Sequence, residues 1–204
     1  MRVHRIPFST NVERVALAAA HKGLAIEWVD HDPGDRSALV ALSGQELVPV
    51  LEDGDTVIND SPRILEYLEE RHPEPPLLPR DPARRAEVRV FCDWFNGVWK
   101  RAPNRLAAEE ESAEPDVALV AELGGRISAS RRLFEDLLAG RDFLLGDELT
   151  LADVTAFPFL RYAVDTNEHD AERFHQILRD HLRLDGVFPR LEAWLARMDA
   201  LPRA

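Results

Sequence analysis

The stretch at residues 48–68, VPVLEDGDTVINDSPRILEYL, decides the fold because strand, turn and helix signals follow one another in it without a gap. Two apolar runs, Val48–Leu51 and Thr56–Ile58, flank an Asp53-Gly54 pair, which is typical of a β-hairpin turn. The proline after Ser61 suits the first position of a helix, and serine is a favoured N-cap. The stretch therefore predicts an antiparallel hairpin followed by a helix that Ser61 caps.

The residues before this stretch predict further strands and helices. Arg2–Ile6 and Ile26–Val29 have strand patterns. Asn11–His21 carries apolar residues at helical spacing and is closed by Gly23, and a short helix is expected around Ser37–Leu42. The predicted order is β-α-β-α-β-β-α.

A proline-rich segment separates this region from the rest of the chain. Five prolines fall between positions 73 and 82, a composition that cannot continue a helix and suits a stiff, extended linker. Everything after it has helical spacing, with a clear apolar stripe at Phe91, Trp94, Phe95 and Val98. We predict an α/β domain at residues 1–73, a linker at 74–82 and an all-α domain at 83–204.

The composition excludes several classes of function. The formal net charge of −12 disfavours a nucleic-acid partner, and the arginines at positions 80–89 alternate with acidic residues, as on a solvated helix face. No apolar run is long enough to span a membrane, and Cys92 is the single cysteine. We expect a cytoplasmic protein without a metal site, in which Cys92 is buried as a small apolar residue.

The loop Pro7–Asn11, between the first strand and the first helix, is the first candidate site. A helix N-terminus concentrates positive potential, so an anion such as a thiolate is favoured there. A hydrogen bond from the Ser9 hydroxyl would stabilise that anion further. On the residues alone, a simple helix cap at Ser9 or Thr10 is the competing interpretation.

Five separated features, taken together, resemble the glutathione transferase superfamily. They are the spacing from Ser9 to Arg14-Val15, the Val48–Leu51 segment, the Asp60-Ser61 helix start, the Thr150–Asp153 capping pattern and the run from Phe188 to Trp194. They follow the family's order across nearly the whole chain. The resemblance implies a thioredoxin-like N-terminal domain, an all-helical C-terminal domain and a homodimer.

The resemblance also implies how the thiol end of glutathione, or of another low-molecular-weight thiol, would be held. Ser9 would donate a hydrogen bond to the sulfur, and Asn11 would assist. Val48 would pair its backbone with the cysteinyl part across a cis peptide to Pro49. On the residues alone, the competing interpretation of Pro49 is a kink at the edge of a strand.

The two other ends of glutathione fall on different residues. By resemblance, Asp60 and Ser61 would receive the γ-glutamyl amine and carboxylate, whereas on the residues alone both are helix caps. Gln45 and Arg36 are the candidates for the glycine carboxylate, which Glu46 would repel.

These expectations leave several functions open. The first hypothesis is transfer of an activated thiol to a hydrophobic electrophile between the two domains, with reduction of organic peroxides second. A thiol-dependent isomerase or dehalogenase is a further alternative. The loop Gln45–Leu47, between Gly44 and Val48, is one or two residues longer than is commonest in the family, and this difference favours another alternative, a non-catalytic binding or assembly module. Trp94, Phe95 and Trp99 could wall an electrophile pocket, but a helical core is the default for them.

Overall fold

The computed structural model describes residues 1–167 and 169–204, which form two compact units. The first comprises Met1–Pro79 together with Leu201–Ala204, and the second comprises Arg80–Ala200. The division falls inside the segment 74–82 that we propose as the linker. Leu201–Ala204 belong to the first unit, whereas the sequence-based boundaries assign them to the helical domain.

A four-stranded sheet forms the base of the first unit. The strands are β1 (Arg2–Arg5), β2 (Glu27–Asp30), β3 (Val50–Asp53) and β4 (Thr56–Asn59), in the spatial order β2-β1-β3-β4. β1 is parallel to β2 and antiparallel to β3, and β3 and β4 form an antiparallel hairpin. The predicted hairpin is confirmed, and Gly54 in its turn has the positive φ that glycine tolerates.

Three helices complete this unit: α1 (Thr10–His21), α2 (Ser37–Ser43) and α3 (Ser61–Arg71). The observed order is the predicted β-α-β-α-β-β-α. A cluster of buried apolar side chains from α1, α2 and the segment of β3 packs in the core, and it consists of Val12, Leu39, Val48 and Val50. The burial of these side chains fixes the start of α1 against the strand that follows Pro49.

The described part of the second unit is helical, as predicted. Its helices are α4 (Pro82–Trp94), α5 (Arg101–Glu110), α6 (Val117–Leu137), α7 (Leu151–Leu160), α8 (Arg173–Leu182) and α9 (Pro189–Asp199). Every residue of α7 is buried, and Thr150 and Asp153 form a capping box at its start. None of the helices in residues 1–167 and 169–204 has the length and apolar character that a membrane crossing requires.

A π-helical turn at Phe95–Trp99 corrects the predicted apolar stripe that follows the linker. Phe91 and Phe95 are buried as predicted, but Val98 is exposed and Trp99 is buried in its place. The wider turn adds a residue to the local repeat, which moves the core-facing position from Val98 to Trp99. Phe95 and Trp99 are stacked with ring centroids 4.5 Å apart, so both belong to the helical core.

Candidate functional site

Ser9 caps the first helix at the end of the β1–α1 loop. Its side-chain oxygen accepts a hydrogen bond from the backbone N–H of Val12 at 3.4 Å, and its side chain is half-buried. Because a hydroxyl has one donor and two acceptor positions, this contact leaves the hydroxyl hydrogen available for donation. Ser9 is therefore a helix cap whose hydroxyl hydrogen is not used by this contact.

Two hydrogen bonds through the buried Ser61 hydroxyl join the start of α1 to the start of α3. The Ser61 hydroxyl donates to Oδ1 of Asn11 at 3.2 Å, and Nη1 of Arg14 donates to the Ser61 hydroxyl at the same distance. Ser61 and Arg14 are each only 1% exposed. Two helix N-termini, each with its partial positive charge, are thus brought together beside a buried guanidinium.

Asp60, not Ser61, is the N-cap of α3, which corrects the sequence-based prediction. The first helical hydrogen bond runs from the N–H of Ile64 to the carbonyl oxygen of Asp60, and Ser61 is the first helical residue. The Ser61 hydroxyl is directed to Asn11 and Arg14 instead of to the helix. The side chain of Asp60 is exposed at the N-terminus of α3.

Both serines follow a residue with an unusual backbone conformation. Phe8 has a φ of 61° and Asp60 has a φ of 73°, which are uncommon for residues other than glycine. Such strain persists where the surrounding structure fixes the backbone, and it is concentrated at functional sites. Here it sets the direction in which the chain enters each helix.

The Val48–Pro49 peptide is cis, as the resemblance implied. Val48 and Pro49 are both buried, and Val50 directly after them begins β3. Val48 packs in the same core cluster as Val12 of α1. The segment is therefore part of the same packed region as the start of the first helix.

The Gln45–Leu47 loop lies between α2 and this segment. Nη1 of Arg36 donates to the backbone carbonyl oxygen of Glu46 at 3.0 Å, and its Nε donates to that of Pro33 at 2.9 Å. The guanidinium thus binds the loop backbone. Gln45 is half-buried and accepts a hydrogen bond from the Ser43 hydroxyl through its backbone carbonyl oxygen at 3.2 Å.

Sequence reasoning used Arg14 only as a marker of resemblance and assigned it no role. Its burial and its contact with Ser61 depend on a pairing 47 residues apart in the chain. Local spacing contains no such information. The only available signal was an arginine among small apolar residues of α1, where a buried charge would need partners.

Among the described residues of the second unit, one group of side chains has the composition of a metal site. Ligand atoms of Asp170, Glu172 and His175 lie within 4.8 Å of one another. The Asp170 carboxylate, however, also accepts a hydrogen bond from Tyr162 at 3.0 Å and pairs with Arg179 at 3.2 Å. These contacts already compensate its charge, and we interpret the group as a structural network.

Cys92 is half-buried on α4, and its sulfur lies 3.5 Å from the hydroxyl oxygen of Thr155. It is less buried than the sequence led us to expect. Cys92 belongs to the second unit, whereas Ser9 and Ser61 belong to the first.

A four-stranded mixed sheet with three helices, followed by a helical unit, defines the class of thioredoxin-like proteins with a helical second domain. The models of the glutathione S-transferase N-terminal and C-terminal domains match residues 3–76 and 118–197. Glutathione S-transferase Z1 of Arabidopsis thaliana is 34% identical over 177 residues, which cover 81% of this chain and 78% of the relative. The chain belongs to the glutathione transferase family.

Two further similarities extend this result. Maleylacetoacetate isomerase of Pseudomonas aeruginosa is 33% identical over 180 residues, covering 81% of this chain and 82% of the relative. The crystal structure of a glutathione S-transferase from Methylobacterium radiotolerans in complex with glutathione sulfonate superposes with a TM-score of 0.76. It is 26% identical and covers all of this chain and 95% of that one.

Proposed function

We propose that this protein is a glutathione-dependent transferase whose first unit binds glutathione and holds its sulfur as a thiolate beside Ser9. The observation that carries the proposal is the buried hydrogen-bonded chain from Asn11 through Ser61 to Arg14. It joins two helix N-termini, which would bind two of the three anionic groups of ionised glutathione, the thiolate and the γ-glutamyl carboxylate. Relatives named as glutathione transferases support the identity of the thiol.

The thiolate would be stabilised by the N-terminus of α1 and by the Ser9 hydroxyl. A hydrogen bond to a charged acceptor contributes about 1.5 to 3 kcal/mol, which corresponds to about one to two pKa units. A free thiol with a pKa of about 8.5 would thereby become largely ionised near neutral pH. Asn11 assists in this proposal by fixing Ser61 relative to the start of α1.

Three further parts of glutathione, the γ-glutamyl carboxylate, the γ-glutamyl amine and the cysteinyl backbone, would each bind at a different residue. Ser61, at the N-terminus of α3 and in contact with Arg14, suits the γ-glutamyl carboxylate. The exposed Asp60 carboxylate suits the γ-glutamyl amine. We assign the backbone of Val48, beside the cis peptide to Pro49, to the cysteinyl part.

For the glycine carboxylate we propose Gln45. The alternative, Arg36, already binds the backbone carbonyl oxygens of Pro33 through Nε and of Glu46 through Nη1. Gln45 is half-buried next to that loop and can offer amide hydrogens to a carboxylate.

Transfer of the thiolate to a hydrophobic electrophile is the first proposed reaction. A thiol-dependent isomerisation is the second, favoured by the relative named maleylacetoacetate isomerase. In that reaction the thiolate would add to a conjugated double bond and leave again after rotation, so no thiol is consumed. Measuring thiol consumption with an aryl halide, an organic peroxide and a maleyl-type substrate would separate transfer, peroxide reduction and isomerisation.

The test of the shared step is a spectroscopic titration of bound glutathione in the wild type and in Ser9→Ala. We expect the wild type to lower the thiol pKa and Ser9→Ala to raise it again by about one to two units, with the fold intact. Ser37→Ala, the same change at the exposed start of α2, is the control. An unchanged thiol pKa in Ser9→Ala would remove Ser9 from the mechanism.

A cytoplasmic homodimer is also part of the proposal. The cytoplasmic assignment is supported by the single cysteine, which cannot form an intramolecular disulfide. Sedimentation equilibrium would test the dimer, and a mass of one chain at all concentrations would contradict it.

A further inference from the structure

The C-terminal segment Leu201–Ala204 binds along α1, the helix that begins at Ser9. Nε of Arg203 pairs with Oε1 of Glu13 at 2.8 Å, and the N–H of Ala204 donates to the carbonyl oxygen of Ala16 at 3.2 Å. The carbonyl oxygen of Ala204 in turn accepts from the indole N–H of Trp28 at 2.9 Å. Three contacts to two elements therefore fix the position of Arg203.

Glu13 carries a negative charge within the first turn of α1. It follows Ser9 by four residues, so the two lie on the same face and about 6 Å apart along the helix axis. A carboxylate in the first turn interacts favourably with the helix itself, but it opposes a second anion at the same N-terminus. An unpaired Glu13 would thus counteract the ionisation of a thiol beside Ser9.

We propose that Arg203 is a positioning residue that neutralises Glu13 and so keeps the N-terminus of α1 receptive to an anionic thiol. This inference rests on the proposed function. The charged groups at this end of α1 are Glu13 and Arg14 on the helix, Asp60 at the start of α3, and Arg203 on the C-terminal segment. Arg14 is buried against Ser61 and Asp60 is exposed, whereas Glu13 and Arg203 are both about three-quarters buried.

The spacing of about 6 Å between Ser9 and Glu13 along the axis of α1 sets the order of magnitude of the effect. Two unit charges about 6 Å apart, in a medium close to water, interact strongly enough to change the ratio of thiolate to thiol about two- to fivefold. The pair is partly accessible to solvent, so salt weakens the effect, because the Debye length falls to about 3 Å at about 1 M ionic strength.

The experiment is a thiolate titration of bound glutathione in four proteins: the wild type, Arg203→Gln, Glu13→Gln and the double variant. We expect Arg203→Gln to lower the thiolate-to-thiol ratio about two- to fivefold and Glu13→Gln to raise it. The double variant should match the wild type, and Arg203→Lys should restore most of the effect. Both shifts should shrink in about 1 M salt.

Arg2→Gln is the control, because it removes an ion pair of the same unit, with Glu52 at 3.0 Å, on a different element. An unchanged ratio in Arg203→Gln, or a double variant that behaves like Arg203→Gln, would overturn the inference. Failure of the wild type to ionise glutathione at all would instead contradict the proposed function. Urea unfolding of each variant separates a loss of charge from a loss of fold.

Discussion

Ser61 takes part in two hydrogen bonds that link side chains distant in the sequence. Its hydroxyl donates to Asn11, 50 residues earlier, and accepts from Arg14. Its own oxygen is therefore fixed in direction before any ligand arrives. A hydroxyl has one hydrogen, so a bound γ-glutamyl carboxylate would take this hydrogen over from Asn11.

Replacing Ser61 by Ala should weaken glutathione binding about tenfold or more, since a hydrogen bond to a charged group contributes about 1.5 to 3 kcal/mol. The variant should also lose about 1 to 3 kcal/mol of stability, because buried polar atoms of Asn11 and Arg14 lose this partner. Calorimetric titration measures the first effect and urea unfolding the second. A folded Ser61→Ala protein with wild-type affinity would show that Ser61 is only structural.

At the scale of elements, α6 and α8 approach each other closely at Gly124. A Cβ atom added there would lie 2.4 Å from Cε1 of His181, which is closer than side-chain atoms pack. At the neighbouring Gly125, no described atom beyond its chain neighbours and the backbone of its own helix lies within 4 Å of such a Cβ. The two glycines differ in their surroundings, although both lie in the middle of the same helix.

Gly124→Ala should therefore destabilise the protein by about 1 to 3 kcal/mol, because the His181 ring must shift. Gly125→Ala is the matched control and should stabilise it by about 0.5 to 1 kcal/mol, as alanine favours a helix over glycine. Urea unfolding of both variants makes the comparison. Equal effects of the same sign would contradict the close approach.

Most elements could be predicted from the sequence because their signals are local. The hairpin at Asp53-Gly54 and the capping box at Thr150 and Asp153 each depend on residues a few positions apart. The π-helical turn at Phe95–Trp99 could not be predicted, since the sequence there has ordinary helical spacing and the turn lies among stacked aromatic rings of the core. The observed start of α3 differs by one residue from the predicted start, because the Ser61 side chain contacts residues distant in the sequence instead of capping the helix.

The candidate site was predictable in part. The sequence pointed to Ser9, Asn11 and Ser61, and the structure brings Asn11 and Ser61 into contact at the two helix starts. The roles of Arg14 and Arg203 could not be predicted, because each depends on a contact between residues 47 or 190 positions apart. Such pairings arise from the topology and leave no pattern in the local spacing.

At the scale of the whole molecule, a pair of histidines couples stability to pH. Nδ1 of His4 and Nε2 of His31 lie 2.7 Å apart, and the other nitrogen of His4 contacts Glu52 at the same distance. Burial lowers the pKa of His31 below its ordinary value of 6.5, and the charge of His4 acts in the same direction. Asp30 opposes this shift, and Arg36 adds to it.

The folded state therefore disfavours a proton on His31. The contribution of neutral His31 to the free energy of unfolding is complete above about pH 6.5. This contribution is lost as the pH falls through the lowered pKa that His31 has in the folded state. We expect the urea midpoint of the wild type to decrease between about pH 7 and pH 5, and His31→Gln to make that decrease shallower. Parallel pH profiles for the two proteins would rule out this coupling.

The complete burial of α7 determines how this protein exchanges its amide hydrogens with solvent. Since all residues from Leu151 to Leu160 are inside, a partial opening that exposes α7 would also have to displace the helices packed around it. Its amides should exchange with deuterium only through the cooperative unfolding of the second unit. Their slowest exchange rate would then report the unfolding free energy of that unit under native conditions, without any denaturant.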